Sequence, residues 1–392
     1  MAIACGLNAA PASRNLFTEL LGKSDTEIGV KIDAAWHQLF YGDDENQRVY
    51  FPVGEDLAYI ADIGSSDVRS EGMSYGMMIA VQLNHRPEFD RLWKWANKYM
   101  RHPSGSRRGY FAWHCKFDGT QLDPGSASDG EEWFAMALLF AAHRWSDSAD
   151  AKGILNYGAE AQALLEAMRR NDRGGGITAI FDPTQKQVVF APSRGASAFT
   201  DPSYHLPAFY TLWARWDRSP EGRKFWAEAA VTSRAFLARA AHPITGLMPE
   251  YAHFDGSPFA AKDFGEGKND FRYDAWRTLS HVALDHAWFA VDPWQVEQSN
   301  RVLRFLDSQK PRIPDQFTLE GKSLSTDESI GLIAMAAVAG LAADPILARP
   351  FVQKLWAAPI PSGRWRYYNG LLYTLGLLEA GGHFKIHSSS AP

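Results

Sequence analysis

The segment Arg69-Ser-Glu-Gly-Met-Ser-Tyr-Gly-Met-Met78 joins a short polar cluster to an apolar run of helical character. The same pattern recurs along the chain at intervals of very roughly 60 residues, which predicts a repeating architecture. Five further clusters begin at Asp129, Asp201, Tyr273, Asp327 and Tyr367. We therefore predict an all-α fold, an (α/α)6 barrel of six inner and six outer helices, formed by residues 1–392 as a single domain.

In such a barrel the polar helix starts gather at one end, around a shared cleft. The stretches between them carry apolar residues at helical spacing and predict the remaining helices. These cover residues 26–40, capped by Asp25 or Thr26, and residues 88–99, 157–170, 221–241, 293–306 and 350–357. Extended or irregular chain is expected over residues 50–68 and 101–130, with a small hairpin within 172–200.

Composition excludes several classes of partner. The chain has 40 basic and 45 acidic residues, and no basic patch stands out, so a nucleic-acid partner is not expected. The longest apolar stretch is about 14 residues, shorter than the roughly 20 that a membrane span needs. Aromatic residues reach 13%, which fits either a large aromatic core or a sugar-binding cleft.

Two cysteines, Cys5 and Cys115, suit a reducing compartment better than a disulfide framework. The first eleven residues have no basic start and no sustained apolar run, so no secretion signal is expected. We predict a cytoplasmic monomer. No cofactor, metal site or nucleophilic serine is expected, and Gly174-Gly-Gly lacks the spacing of a phosphate-binding loop.

Carboxylates at the helix starts are the candidates for chemistry. Glu71 alone would fit a first-turn acid that is favoured by the helix dipole. However, Gly72, Ser74 and Gly76 are poor residues for a helix interior, which suggests that something approaches the backbone closely. The neighbouring Met residues and Tyr75 would form an apolar wall that raises the pKa of Glu71, as a general acid requires.

Two other acids are open to both readings. Asp274 can cap its helix and pair with Arg277 at i+3. Asp129 can cap the next segment, with Glu132 completing a capping box. His281 is expected to be a hydrogen-bonded core residue. Two carboxylates on facing helices of one cleft are typical of a glycoside hydrolase, and we expect the cleft to be lined by Trp113, Trp133, Tyr204 and Tyr367.

Over nearly its whole length the chain resembles glycoside hydrolase family 8, a family of inverting (α/α)6 enzymes. Residues 67–77 resemble its most specific segment, which implies that Glu71 is the general acid. Residues 273–277 resemble the general-base segment, with Asp274 as base and Arg277 as its orienting partner. Residues 128–132 match a second segment and imply that Asp129 binds the sugar before the scissile bond.

Further segments of the resemblance concern substrate. Residues 201–210 imply that Tyr204 contacts the region of the catalytic water. Residues 110–113 and 366–370 imply sugar contacts for Trp113 and Tyr367. The xylan-active members are nearest, which implies a β-1,4-xylo-oligosaccharide substrate.

Mode of action stays open at this level. Residues 67–81 resemble the exo-oligoxylanases, which release xylose from the reducing end, whereas other segments resemble endoxylanases equally. The exo-acting members carry a Leu-His-Pro segment that closes the cleft. Residues 322–329 stand in its place here without His or Pro. We expect the exo activity, with an endoxylanase as the alternative and a non-catalytic carbohydrate-binding barrel as a minor one. The motifs do not fit a lyase or epimerase.

Overall fold

The computed structural model describes residues 14–145 and 153–388, and most of these residues lie in helices. The described chain holds thirteen α-helices. They are α1 Leu16–Leu21, α2 Asp25–Tyr41, α3 Ser70–Leu83, α4 Arg86–Trp95, α5 Ser128–Trp145, α6 Tyr157–Arg169, α7 Pro207–Trp216, α8 Pro220–Ala240, α9 Arg277–Phe289, α10 Trp294–Ser308, α11 Ile330–Ala339, α12 Pro345–Ala357 and α13 Arg366–Ala380.

The six helices that follow the polar clusters contact one another in sequence order. Helix α3 contacts α5, α7 contacts α9, and α11 contacts both α9 and α13, while α13 returns to α3. Helices α5 and α7 meet through Trp133 and Phe209, whose ring centroids lie 5.1 Å apart. Each of the six therefore contacts two others of the set.

The remaining long helices pack outside these six. Helix α4 lies against α3, α6 against α5, α8 against α7, α10 against α9, α12 against α11, and α2 against α13. The inner helices are buried on more sides than the outer helices, in keeping with the distribution of apolar residues in their sequences. Every residue of α11 except Ile330 is buried, so this helix is apolar on all sides. Helix α4 buries only the face that carries Phe89, Leu92, Trp93 and Trp95.

A small antiparallel sheet lies beside α3 and α4 and confirms the extended chain expected before residue 70. Its strands, in spatial order, are β1 Tyr50–Val53, β2 Leu57–Asp62, β3 Asp67–Arg69, β4 His114–Cys115 and β5 Gln121–Asp123. Strand β3 runs directly into α3, and Val68 pairs with Cys115 on β4. The sheet therefore fixes the start of the helix that carries Glu71.

Several local predictions need correction. The N-cap of α2 is Ser24, not Asp25 or Thr26, and it forms a capping box with Glu27. Helix α12 begins at Pro345 and keeps Pro350 inside it, so the prediction that started at residue 350 was too short. The small hairpin predicted within residues 172–200 is present only as isolated antiparallel bridges, which join Ile177 to Ser193 and Phe181 to Val188.

Cys115 is a free, buried thiol, and burial raises its pKa to about 12. Cys5, the second cysteine considered above, lies outside the described residues. Among the described helices, none combines the length and the apolar character that crossing a membrane would take.

Candidate active site

A cleft with a volume of about 800 Å³ opens where the starts of several of the six helices meet. Its wall includes three acids that the sequence singled out, namely Glu71 on α3, Asp129 on α5 and Asp274 in the short turn before α9. Trp113 and Tyr204 also line it. The clusters that begin at positions 69, 129, 201 and 273 therefore meet at this cleft, whereas neither the cluster at 327 nor Tyr367 is part of its wall.

Arg277, the first residue of α9, is not part of the cleft wall but joins the three acids from behind it. Its side chain is only 2% exposed. The Nη1 atom donates to Glu71 Oε2 at 2.9 Å and to Asp129 Oδ2 at 3.1 Å. The Nη2 atom lies 3.2 Å from Asp274 Oδ1, which is the predicted i+3 pairing. A single buried cation thus holds three carboxylates on three different elements.

This arrangement limits the separation of Glu71 and Asp274. Both contacting nitrogens belong to one planar guanidinium, so the two carboxylate oxygens lie at most about 8.5 Å apart. Inverting glycoside hydrolases keep their two carboxyls roughly 6.5–9.5 Å apart, which leaves room for a water molecule. The geometry is compatible with that class of reaction.

Burial sets the protonation of Glu71. Its pKa is raised to about 7, chiefly by desolvation, which the charge of Arg277 opposes and the nearby Asp129 and Asp274 reinforce. Tyr367 donates its hydroxyl to Glu71 Oε1 at 3.0 Å. Each carboxyl oxygen keeps a second lone pair, so Glu71 can carry a proton while both contacts persist.

Asp129 and Asp274 differ in exposure. The Asp129 side chain is 4% exposed, and burial raises its pKa although Arg277 opposes the shift. The Asp274 side chain is 27% exposed. The capping box expected for Asp129 is wrong, because Glu132 pairs with the hydroxyl of Tyr210. Asp129 instead accepts from Gly130 N and reaches Arg277.

The close approach inferred from Gly72 is real. A Cβ atom built on Gly72 would lie 2.4 Å from Tyr367 Cε2, so only glycine lets the tyrosine ring rest on α3. The same ring supplies the hydroxyl that contacts Glu71. Gly76 has a different neighbour, because a Cβ atom added there would lie 2.7 Å from Ile60 Cγ1 on strand β2.

Two partners of Arg277 were missed from the sequence. Tyr75 accepts from Nη1 at 2.6 Å, so it is part of the polar network and not of an apolar wall. Ser203 accepts from Nη2 at 2.9 Å. The pattern Asp201-Pro-Ser203 is a turn signature that could have drawn attention to this serine.

The aromatic residues divide between cleft and core. Trp113 and Tyr204 line the cleft, whereas Trp133 is 3% exposed and packs edge-on against Tyr75 and Phe209. The expectation that Trp133 lines the cleft is therefore wrong. Tyr204 stacks on Phe190, and the Arg277 guanidinium lies 5.6 Å from its ring centroid.

Two spacings in the chain resemble known motifs, although no nucleophilic serine or metal site was expected. Gly72-Met-Ser74-Tyr-Gly76 has the letters of a nucleophile motif, but Ser74 is buried within α3 and donates to Glu71 O at 2.8 Å. His383 and His387 have a His-x-x-x-His spacing, yet they follow α13 outside any helix. Within residues 14–145 and 153–388 no group of three or more His, Cys, Asp or Glu is placed to hold a metal.

His281 is buried, as expected, but the expected hydrogen bonding is incomplete, because its Nδ1 atom has no hydrogen-bond partner among the described residues. Burial, aided by Arg277, lowers its pKa to about 3. It therefore stays neutral at ordinary pH.

Residues 316–324 form a tight hairpin next to Asp274, and we call this segment the 316–324 hairpin. Phe317 pairs with both Phe271 and Ser323. Gln316 donates to the hydroxyl of Tyr273, and Asp315 O accepts from Trp276 Nε1 at 2.9 Å. The hairpin is thus anchored on the turn that carries the candidate base. It is not part of the cleft wall described above.

A cleft that holds a buried acid of raised pKa, a second acid that is partly exposed, and aromatic walls is typical of a glycoside hydrolase. Similarity to known proteins shows which family of glycoside hydrolases this is. The chain belongs to glycosyl hydrolase family 8, whose model matches residues 60–382.

Two relatives and one solved structure illustrate the similarity. The chain is 44% identical to the reducing-end xylose-releasing exo-oligoxylanase Rex8A of Paenibacillus barcinonensis, over 95% of this chain and 96% of that one. It is 41% identical to a reducing end xylose-releasing exo-oligoxylanase of Halalkalibacterium halodurans, with 95% and 94% covered. A family 8 xylanase from Teredinibacter turnerae, solved as a catalytic mutant with xylohexaose, matches with a TM-score of 0.92 at 44% identity, covering 95% and 97%.

Proposed function

We propose that this protein is an inverting hydrolase of β-1,4-xylo-oligosaccharides that releases xylose from the reducing end. The observation that carries the proposal is the shared contact of Arg277 with Glu71, Asp129 and Asp274 behind the cleft wall. The names of the two exo-acting relatives support the substrate and the mode of action. The ring of contacts among six helices supports an (α/α)6 barrel formed by one domain, residues 1–392.

Glu71 acts as the general acid. It donates its proton to the leaving glycosidic oxygen as the bond to the anomeric carbon breaks. Burial keeps enough of Glu71 protonated near neutral pH for this step. Tyr367 contacts Oε1 of the Glu71 carboxyl, and Arg277 contacts Oε2. These two contacts fix the carboxyl group so that its proton is directed toward the cleft.

Asp274 acts as the general base. It removes a proton from a water molecule that attacks the opposite face of the anomeric carbon, which inverts the configuration. Arg277 orients the Asp274 carboxylate, and Tyr204 lines the cleft where the water has to lie. No covalent intermediate forms, because the water itself is the nucleophile.

Asp129 and Trp113 bind the sugar. Asp129 presents a carboxylate to the cleft from α5, beside the acid, and holds the hydroxyls of the sugar before the scissile bond. Trp113 offers a flat ring for stacking against a xylosyl unit. Asp129→Asn should therefore damage activity through substrate positioning and not through proton transfer.

The 316–324 hairpin and the exposed residues that follow it replace the missing Leu-His-Pro segment in this proposal. An exo enzyme has to close the cleft one sugar past the cleavage point. The hairpin is anchored on the turn that carries Asp274, and Leu324 presents a 37% exposed apolar side chain near its end. The segment lies outside the cleft wall but beside the turn that carries Asp274, and we infer that it limits how far a bound sugar chain can extend past that turn.

A product profile tests the proposal. Xylotriose should give xylose and xylobiose, with the xylose coming from the reducing end, and the newly formed anomeric centre should first appear in the α configuration by NMR. Reducing xylotriose to its alditol should suppress cleavage, because the closed site has to recognise the terminal ring. Polymeric xylan should be a poor substrate.

Other results would select the alternatives. Rapid loss of viscosity in soluble xylan, with mixed oligosaccharides and little xylose, would establish an endoxylanase. Binding of xylotriose without any turnover would establish a carbohydrate-binding barrel. The monomeric state and the cytoplasmic location remain predictions, which gel filtration and cell fractionation would check.

A further inference from the structure

Asp201 is a buried carboxyl that the proposed reaction does not use. Its side chain is 0% exposed, and it directly precedes the short helical turn Pro202–Tyr204. Two residues of this turn reach the active site. Ser203 accepts from Arg277, and Tyr204 lines the cleft.

A continuous chain of contacts leads from Asp201 to the candidate base. Asp201 Oδ1 accepts from Ser203 N at 2.7 Å, so Asp201 caps the turn. Ser203 Oγ accepts from Arg277 Nη2 at 2.9 Å. The same nitrogen lies 3.2 Å from Asp274 Oδ1. Two residues, Ser203 and Arg277, therefore link the buried Asp201 cap to the Asp274 carboxylate.

The turn is also held at its far end. Tyr210 on α7 donates its hydroxyl to Tyr204 O at 3.0 Å. His205, which follows the turn, contacts Thr200 Oγ1 at 3.0 Å and Ser233 Oγ at 2.8 Å. With the end of the turn fixed in this way, the Asp201 cap decides where the start of the turn and the Ser203 hydroxyl lie.

The second oxygen of Asp201 is unsatisfied. Oδ2 is buried and has no hydrogen-bond partner in the described chain. A buried polar atom left unpaired costs about 1–3 kcal/mol. An acid kept at such a cost, immediately behind the active site, points to a role in function more than in folding.

We propose that Asp201 is a positioning residue for the hydrolytic step. It sets the Ser203 hydroxyl that holds Arg277 against Asp274, and it fixes the turn that places Tyr204 beside the attacking water. Asp201 does not touch the substrate, so its contribution lies in the rate of the bound complex. The proposal rests on the proposed function above.

The test is steady-state hydrolysis of xylotriose by Asp201→Ala and Asp201→Asn. The alanine variant loses the cap, and kcat should fall at least about tenfold while KM stays within about twofold. Asparagine caps a turn as well as aspartate does, so Asp201→Asn should recover kcat to within about threefold of the wild type. Because a smaller folded fraction would also lower the apparent kcat at constant KM, kcat is calculated per mole of folded enzyme, with the folded fraction measured by circular dichroism at the assay temperature.

The chain offers a matched control. Asp255 Oδ1 accepts from Ser257 N at 2.8 Å, the same Asp-x-Ser contact in an exposed turn. Asp255→Ala should leave kcat and KM unchanged. Thermal unfolding of each variant shows whether it folds.

Ser203→Ala is the second variant, and it decides the matter if Asp201→Ala does not fold. It keeps the cap and removes the acceptor for Arg277 Nη2, so kcat should fall in the same way. Because both residues act through one chain of contacts, the double variant should lose less than the product of the two single losses.

The inference is overturned if both alanine variants keep the wild-type kcat, if KM rises while kcat stays, or if Asp201→Asn is as impaired as Asp201→Ala. A wild-type protein that does not hydrolyse xylotriose at all would instead refute the proposed function, so the two failures are distinguishable.

Discussion

At the scale of single residues, the proposed acid and base should respond differently to substitution. Glu71→Gln removes the proton donor, so kcat on xylotriose should fall by about 100- to 10,000-fold. A xylobioside with a good leaving group needs little protonation, and part of its hydrolysis rate should survive. If Glu71→Gln cleaves xylotriose at close to the wild-type rate, Glu71 is not the acid.

The proposed base should not be rescued by an activated substrate, in contrast to the acid. Asp274→Asn should lose activity on ordinary and activated substrates alike, since water attack still needs proton removal. Substrate affinity, measured by calorimetry with xylotriose, should stay close to that of Glu71→Gln, which also binds the sugar without rapid turnover. Recovery of the Asp274→Asn rate on an activated substrate would contradict the assignment.

The pH dependence follows from the buried acid. Burial raises the pKa of Glu71 to about 7, and a general acid works only while protonated. The activity should therefore be present below that pH and fall as pH rises through about 7, giving the upper limb of a bell-shaped profile. Rates of xylotriose hydrolysis between pH 4 and 9 measure it. A profile that is flat across this range would be inconsistent with the mechanism.

At the scale of elements, the contact between α3 and Tyr367 can be tested with a pair of glycines. Gly72→Ala would place a methyl group 2.4 Å from Tyr367 Cε2 and push away the ring that contacts Glu71. A shift of this size can lower kcat by about 100-fold. Xylotriose kinetics and thermal unfolding would record the change.

Gly29 on α2 is the matched control for this substitution, because nothing lies within 4 Å of its added Cβ. Gly29→Ala should leave activity unchanged and raise the free energy of unfolding by about 0.5–1 kcal/mol, the helix propensity difference. An unaffected kcat in Gly72→Ala would show that Tyr367 does not need the bare backbone.

Much of the element order followed from sequence, for identifiable reasons. Apolar residues at helical spacing placed α2, α6, α8 and α10 within a few residues of their bounds. The cap of α2 was misplaced because Ser24, Asp25 and Thr26 are all good caps, and only the reciprocal contact with Glu27 distinguishes them. Local patterns of this kind do not resolve neighbouring candidates.

At the scale of the whole molecule, the sequence located the acids of the site but not the network that joins them. The recurring clusters and the family resemblance brought Glu71, Asp129 and Asp274 to one cleft. The part played by Tyr75 and Ser203 depends on where Arg277 directs its five donors, which spacing along the chain does not encode. The prediction that Trp133 lines the cleft was wrong for the same reason, because spacing does not show that its ring packs toward the core.

Because Cys115 on strand β4 is buried, the rate at which its thiol is alkylated reports how often the structure beside the cleft opens transiently. With a pKa near 12 and no exposed surface, the thiol can react with an alkylating reagent only during transient opening of the sheet that precedes Glu71. In a Cys5→Ser background, xylobiose at a hundred times its dissociation constant should slow labelling by up to about 100-fold, if opening and binding exclude each other. Sucrose at the same concentration is the control, and equal labelling rates with both sugars would mean that the sheet opens without disturbing the cleft.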